Sequence, residues 1–199
     1  MAVHFKNIPV TFIHIPRTAG NSFRYWAASN SIEFEVLPET DYHATPNTAC
    51  NTWPNLGTTF TFVRNPYARL VSLYHHIGQK ALIQLNPKHP RQQELAEYNI
   101  KQLLLYKQGF EAWLTSTAKS IDWSCKLQTP WLDNIDIVIK TENLSQDFSL
   151  IQKLFGCYEE LPHINLSKHK SYQSYYNNHT KELVQTLCKD ELDAFEYSF

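Results

Sequence analysis

The stretch "TFIHIPRTAGNSF", Thr11 to Phe23, decides the fold of this chain. An apolar run stops at Pro16, turns through a basic residue, a threonine and a glycine, and restarts with Phe23, Trp26 and Ala27 at i, i+3 and i+4. That is a strand handing over to a helix. Backbone N–H groups at a helix start have no intrahelical partner and carry the positive end of the dipole, so such a turn attracts phosphate or sulfate. With a single glycine, and with Arg17 before it, the turn is not the G-x-x-x-x-G-K-[ST] loop of ordinary nucleotide sites. Gly20 permits close backbone approach, Thr18, Asn21 and Ser22 add hydroxyl and amide donors, and Arg17 adds a forked cation. The bland alternative is that Thr18 or Asn21 caps the helix while Arg17 is solvated.

Working outward, "VTFIHI" (Val10 to Ile15) reads as a buried strand, "FEVL" (Phe34 to Leu37) as a short second one, and "TTFTFV" (Thr58 to Val63) as the clearest after the first. The last ends at "RNP", where Asn65 can cap and Pro66 can open a helix whose face is Leu70, Leu73, Tyr74 and Ile77, up to Gly78. This second strand-turn-helix unit presents Arg64 at a strand end and Ser72 two turns into the helix; a carboxylate partner for Arg64 and solvent for Ser72 are the alternatives. "LNPKHPR" (Leu85 to Arg91) is a loop, helices are expected over Gln92 to Tyr106 and Phe110 to Thr115, and "IDIVIK" (Ile135 to Lys140) is a third strong strand. A helix over Asn143 to Phe155 should stop at Gly156. The tail is polar and aromatic from "LPHINLSKHKSY", then amphipathic through Leu183, Val184, Leu187 and Cys188. Strands alternating with helices imply an α/β domain with a mainly parallel sheet, helices on both faces, and ligands beyond the carboxyl ends of the strands.

Composition narrows the function classes. A chain of 199 residues is most simply one domain, 1–199, and 11 Phe, 11 Tyr and 5 Trp can fill its core. A formal net charge of -1 argues against a broad basic surface for nucleic acid, so an anion site must be local. The 4 cysteines form no C-x-x-C pair and read as free thiols of a reducing, cytoplasmic compartment. No apolar run reaches a membrane span, no signal-peptide pattern opens the sequence, and the 9 histidines include no H-E-x-x-H, so no metal is expected.

Two anion-ready turns in one sheet suit a ligand with two separated phosphates. "FIHIPRTAGNSF" together with "FTFVRNPYARLVSLY" resembles the two cofactor signatures of the carbohydrate sulfotransferases, the Golgi-type class with bacterial relatives (sulfotransferase family 2-like). The likeness continues in order through "YHATPNTA" (Tyr42 to Ala49), "IDIVIKTENLSQDF" (Ile135 to Phe148) and "LPHINLSKHKSYQSYY" (Leu161 to Tyr176).

The resemblance implies a P-loop-like fold that binds 3′-phosphoadenosine 5′-phosphosulfate (PAPS) and releases 3′,5′-bisphosphoadenosine. Arg17, Thr18, Ala19, Gly20, Asn21 and Ser22 match the loop for the 5′-phosphosulfate, and Arg64 and Ser72 match the pair that grips the 3′-phosphate. The family usually has lysine where this chain has Arg17, a planar fork that does not readily donate a proton. His43 matches the candidate general base that takes the proton of a glycan hydroxyl; a cap or a pairing with Asp41 is the alternative reading of that histidine. Ser167 and Lys168 match a late loop over the cofactor, although Lys168, His169 and Lys170 also suit a solvated face. Glu142 is read as structural, a dipole partner at a helix start. Tyr172, Tyr175 and Tyr176 suit either stacking on a ligand or core packing, the commoner fate. The rival readings are an ATP-using P-loop kinase or hydrolase, with Asp133 and Asp136 near the third strand, and a non-catalytic glycan- or nucleotide-binding module.

Overall fold

The computed structural model describes residues 2–37, 44–86, 88, 92–119, 127–162, 164 and 169–199. In chain order the elements are β1 (Val3–Phe5), β2 (Val10–Phe12), α1 (Gly20–Ser29), β3 (Glu35–Val36), α2 (Pro46–Cys50), β4 (Thr58–Val63) and α3 (Pro66–Gln84). There follow α4 (Gln92–Gln108), α5 (Phe110–Ala118), β5 (Ile137–Lys140), α6 (Leu144–Phe155), α7 (Asn178–Leu187) and α8 (Lys189–Ala194). They fall into two compact units, Met1–Asn65 with Gln128–Leu166 and Pro66–Leu127 with Ser167–Phe199.

The first unit holds a five-stranded sheet in the order β3-β1-β2-β4-β5. Parallel pairing is confined to β2 with β4 and β4 with β5; β1 pairs antiparallel with both β2 and β3. The sheet is therefore mixed rather than mainly parallel. Only Lys6 to Pro9 separate β1 from β2, enough for a hairpin, whereas a parallel crossover takes a dozen residues or more. Sequence reading missed β1 because three residues with a histidine at the centre are too few for alternation to register.

On one face of the sheet Val10, Phe12, Phe60, Phe62 and Ile139 pack with Phe23, Trp26 and Ala27 of α1 and Leu144, Phe148 and Ile151 of α6. Phe12 and Phe23 sit 4.7 Å apart between ring centroids, and Phe23 meets Phe60 edge-on at 5.1 Å. Such aromatic pairs add roughly 0.5–1.5 kcal/mol each beyond the area they bury. The other strand face is threonine-rich and still buried, so each hydroxyl needs a partner. Thr61 donates to the Ile13 carbonyl at 2.6 Å, and Thr59 donates through both its amide and its hydroxyl to Asp136 at 2.7 and 2.9 Å. α6 stops where expected: Gly156 takes φ 60°, and the amides of Gly156 and Cys157 close back on the Lys153 and Gln152 carbonyls.

The second unit is helical, with Tyr67, Leu70, Val71, Tyr74, Phe110, Trp113, Leu114, Val184 and Cys188 at its centre. α3 does not end at Gly78 but runs to Gln84. The glycine is there for space, since a Cβ would lie 2.2 Å from Cδ2 of Tyr106. Tyr176 donates to the Tyr67 carbonyl at 2.9 Å and packs edge-on against Phe110, so this member of the tail cluster takes the core-packing fate.

His75 sits between Tyr175 Oη at 2.9 Å and Tyr106 Oη at 3.3 Å, with the ring of His169 stacked 5.1 Å away. Burial, and then the neighbouring His169, hold its pKa below the ordinary value. The unfolded chain therefore takes up this proton first as pH falls below about 6.5, so stability present above that value is lost as pH falls toward the folded pKa. Tm should drop between about pH 7 and pH 5.5, and His75→Gln should flatten part of that slope in a calorimetric pH series. His4 is lowered mainly by its own burial, so the difference between the two proteins isolates His75.

Candidate active site

The strand-turn-helix stretch folds as a strained loop. Past the end of β2, the Ile13 amide still reaches the Phe60 carbonyl at 2.9 Å. Arg17 and Ala19 then adopt left-handed backbone at φ 70° and 65°, which costs on the order of 1–3 kcal/mol for a residue with a side chain. Left-handed residues in a turn are how successive N–H groups are gathered into anion-binding concavities. Two contacts hold the turn: Thr18, fully buried, donates its hydroxyl to the Ile15 carbonyl at 2.8 Å, and Gly20 lies against the His14 ring. A Cβ at position 20 would sit 2.0 Å from His14 Cδ2, so the glycine admits this imidazole. The N-cap of α1 is Ala19, with no side-chain cap. Thr18 thus turns its hydroxyl inward, where it braces the turn instead of serving as a free donor. Asn21 is exposed, and Ser22 is buried with its hydroxyl 3.3 Å from the Ile164 amide, which donates to it.

Arg64 follows the last residue of β4. Because β2 and β4 are adjacent parallel strands, their carboxyl ends bring Arg64 to the turn, and its Nη1 donates to the Arg17 carbonyl at 3.4 Å. Burial, and then the Arg64 charge, press the Arg17 guanidinium below its ordinary pKa. Arginine stays charged nonetheless, so two cations crowd one strained turn.

The backbone around Arg64 is clamped by side chains. The Gln128 carboxamide accepts the Arg64 N–H at 2.9 Å and donates to the Arg64 carbonyl at 2.9 Å. Thr141 donates to the Val63 carbonyl at 2.7 Å, and Glu142 accepts the Asn65 N–H at 2.8 Å. Glu142, expected as a dipole partner, thus serves the chain leaving β4. Sequence reading passed over His14 and Gln128: the first looks like any strand histidine, and the second is a lone amide in an unpatterned segment.

Ser72 lies in the second unit, 1% exposed on α3. His43, Ser167 and Lys168 fall outside the described residues. Asp136 serves the amino end of β4 through Thr59, and Asp133 accepts from Asn47 at 3.1 Å, so neither stands at the arginine end of the strands. Among the described residues no helix is long and apolar enough to cross a membrane, and no three histidines, cysteines or acids gather as a metal set.

A family model described as "Sulfotransferase family" matches residues 5–196 and runs through both units. No curated protein and no solved structure gave a match. With that match over nearly its whole length, the chain belongs to the sulfotransferase family and is a transferase of that class.

Proposed function

We propose that the protein transfers the sulfuryl group of PAPS to a hydroxyl of a carbohydrate acceptor. The observation that carries this reading is the convergence of Arg17 and Arg64 on one left-handed turn at adjacent strand ends. Two guanidinium groups close enough to raise each other's electrostatic cost are relieved by a ligand carrying several negative charges, and a bisphosphate with a sulfate meets that demand. The donor set of the turn, backbone amides with Arg17, suits the phosphosulfate; Arg64 with Ser72 would hold the 3′-phosphate, and Ser167 and Lys168 would cover the cofactor.

Bound PAPS supplies a sulfur atom joined to phosphate through a bridging oxygen whose bond to sulfur breaks as the acceptor oxygen bonds to it. His43 takes the acceptor proton. Arg17 and the amides of residues 18–22 stabilise the electron pair that passes to the phosphate oxygens, where preorganised donors contribute most. The two units are read as one P-loop-like domain, 1–199, with helices on both faces of the sheet. A reducing, cytoplasmic setting fits the free thiols of Cys50, Cys157 and Cys188.

The test is a thermal-shift titration with 3′,5′-bisphosphoadenosine against ATP plus magnesium, followed by transfer of labelled sulfate to a glycan panel. The bisphosphate should give the larger shift, equivalent to about 2.7 kcal/mol at 100 times its Kd, and label should appear on a sugar hydroxyl. Preference for ATP would sink the reading. Tight bisphosphate binding with no transfer to any acceptor would favour a binding module.

A further inference from the structure

We infer that Gln128 is a positioning residue for Arg64, a substitute sheet partner that aims its guanidinium at the turn. The inference rests on the reading of Arg64 as a ligand-holding cation. At the end of β4 the ladder stops, since Val63 with Lys140 is its last pair on the β5 side. Arg64 therefore reaches the site with its own N–H and carbonyl beyond the strand, and a buried backbone group without a partner costs about as much as a lost hydrogen bond. A glutamine side chain carries one donor and one acceptor on a planar amide, the same pair a neighbouring strand would present. Gln128 is fully buried and satisfies both groups of Arg64, each at 2.9 Å.

Its own backbone is held in turn. Gln128 caps the 3₁₀ turn Thr129–Trp131, its carbonyl accepts the Trp131 N–H at 3.0 Å, and the Trp131 ring is buried. Arg64 is thus gripped at its backbone by Gln128 and steadied at its tip by the Arg17 carbonyl. A two-point hold of this kind fixes the direction of a long side chain, and displacing a site group by about 1 Å costs on the order of 100-fold in reaction rate.

The experiment uses the full chain, with 3′,5′-bisphosphoadenosine and inorganic pyrophosphate as calorimetric probes. Gln128→Leu nearly keeps volume and removes both bonds; bisphosphoadenosine affinity should fall about tenfold, the size of one weakened charge-assisted hydrogen bond to the ligand. Thr59→Val, which removes a buried hydroxyl at the opposite end of β4, should leave affinity within about twofold while lowering Tm, as loss of a buried hydrogen bond does. On an Arg64→Ala background, Gln128→Leu should cost no further affinity, because no guanidinium is left to misplace. A structural role alone would weaken binding on both backgrounds and in Thr59→Val alike, and would overturn the inference. If Gln128→Leu does not fold, Gln128→Met decides, since the unbranched side chain keeps the shape, adds no charge and makes neither bond: a roughly tenfold loss supports the inference and unchanged affinity refutes it. Wild type that binds pyrophosphate but not bisphosphoadenosine, with Gln128→Leu weakening the former, retains the inference and refutes the PAPS reading. Bisphosphoadenosine bound equally by wild type and Gln128→Leu does the reverse, and binding of neither probe by wild type refutes both.

Discussion

Arg17→Ala should lower kcat/KM for sulfuryl transfer about 10²- to 10³-fold, the loss that follows removal of one preorganised donor from developing negative charge. The same change should move Tm little. In the free protein Arg17 lies beside Arg64, and burial followed by that like charge disfavours its charged form, so the substitution removes an unfavourable contribution together with the contacts the side chain makes. Position 17 keeps an L residue at φ 70°, so the backbone strain is unchanged. A large loss of turnover with little change in Tm is a combination a merely structural residue would not give. Arg17→Lys restores a point charge without the fork, and should recover most of kcat if charge is what matters. Turnover in Arg17→Ala equal to wild type would remove this residue from the chemistry and leave it a half-buried cation on a strained turn.

Much of the local structure around this turn could be read before any coordinates, because its signals lie close together in the chain. β4 spans Thr58–Val63, the bounds its composition suggested, because β-branched and aromatic residues fill every position up to Arg64. The stop of α6 at Gly156 was readable because a left-handed cap wants glycine. The pairing of Arg17 with Arg64 was half readable: each was recognisable as a strand-end residue, but their adjacency required β2 and β4 to be neighbours. What failed did so where a residue's partner is remote in sequence. Gly78 reads as a helix stop until Tyr106 is seen against it. Gln128 stands 64 residues from the arginine it holds, and no periodicity reports a side chain acting as a strand. β1 escaped for a second reason, since three residues are too few to show a pattern, whereas β3 falls inside the short strand expected over Phe34 to Leu37.

His43→Ala is the other large effect, a fall of about 10²- to 10⁴-fold in kcat, the range attributed to a positioned general base. An alcohol oxygen is a poor nucleophile until its proton leaves, and at neutral pH an imidazole titrating near about 6.5 is mostly in the form that accepts it. Affinity for 3′,5′-bisphosphoadenosine should stay within about twofold, because in the proposed mechanism His43 acts on the acceptor hydroxyl and not on the phosphates assigned to Arg17 and Arg64. The pH profile separates this role from a general loss of structure. Wild-type kcat/KM should rise through the imidazole range and then level, whereas that acid limb should vanish in His43→Ala while residual turnover becomes flat. Arg17→Ala, by contrast, should lower the whole profile and leave its limb in place. An acid limb that survives in His43→Ala, or turnover equal to wild type, would move the proton to another group and leave the strand-end arginines as the part of the site on which the sulfotransferase reading stands.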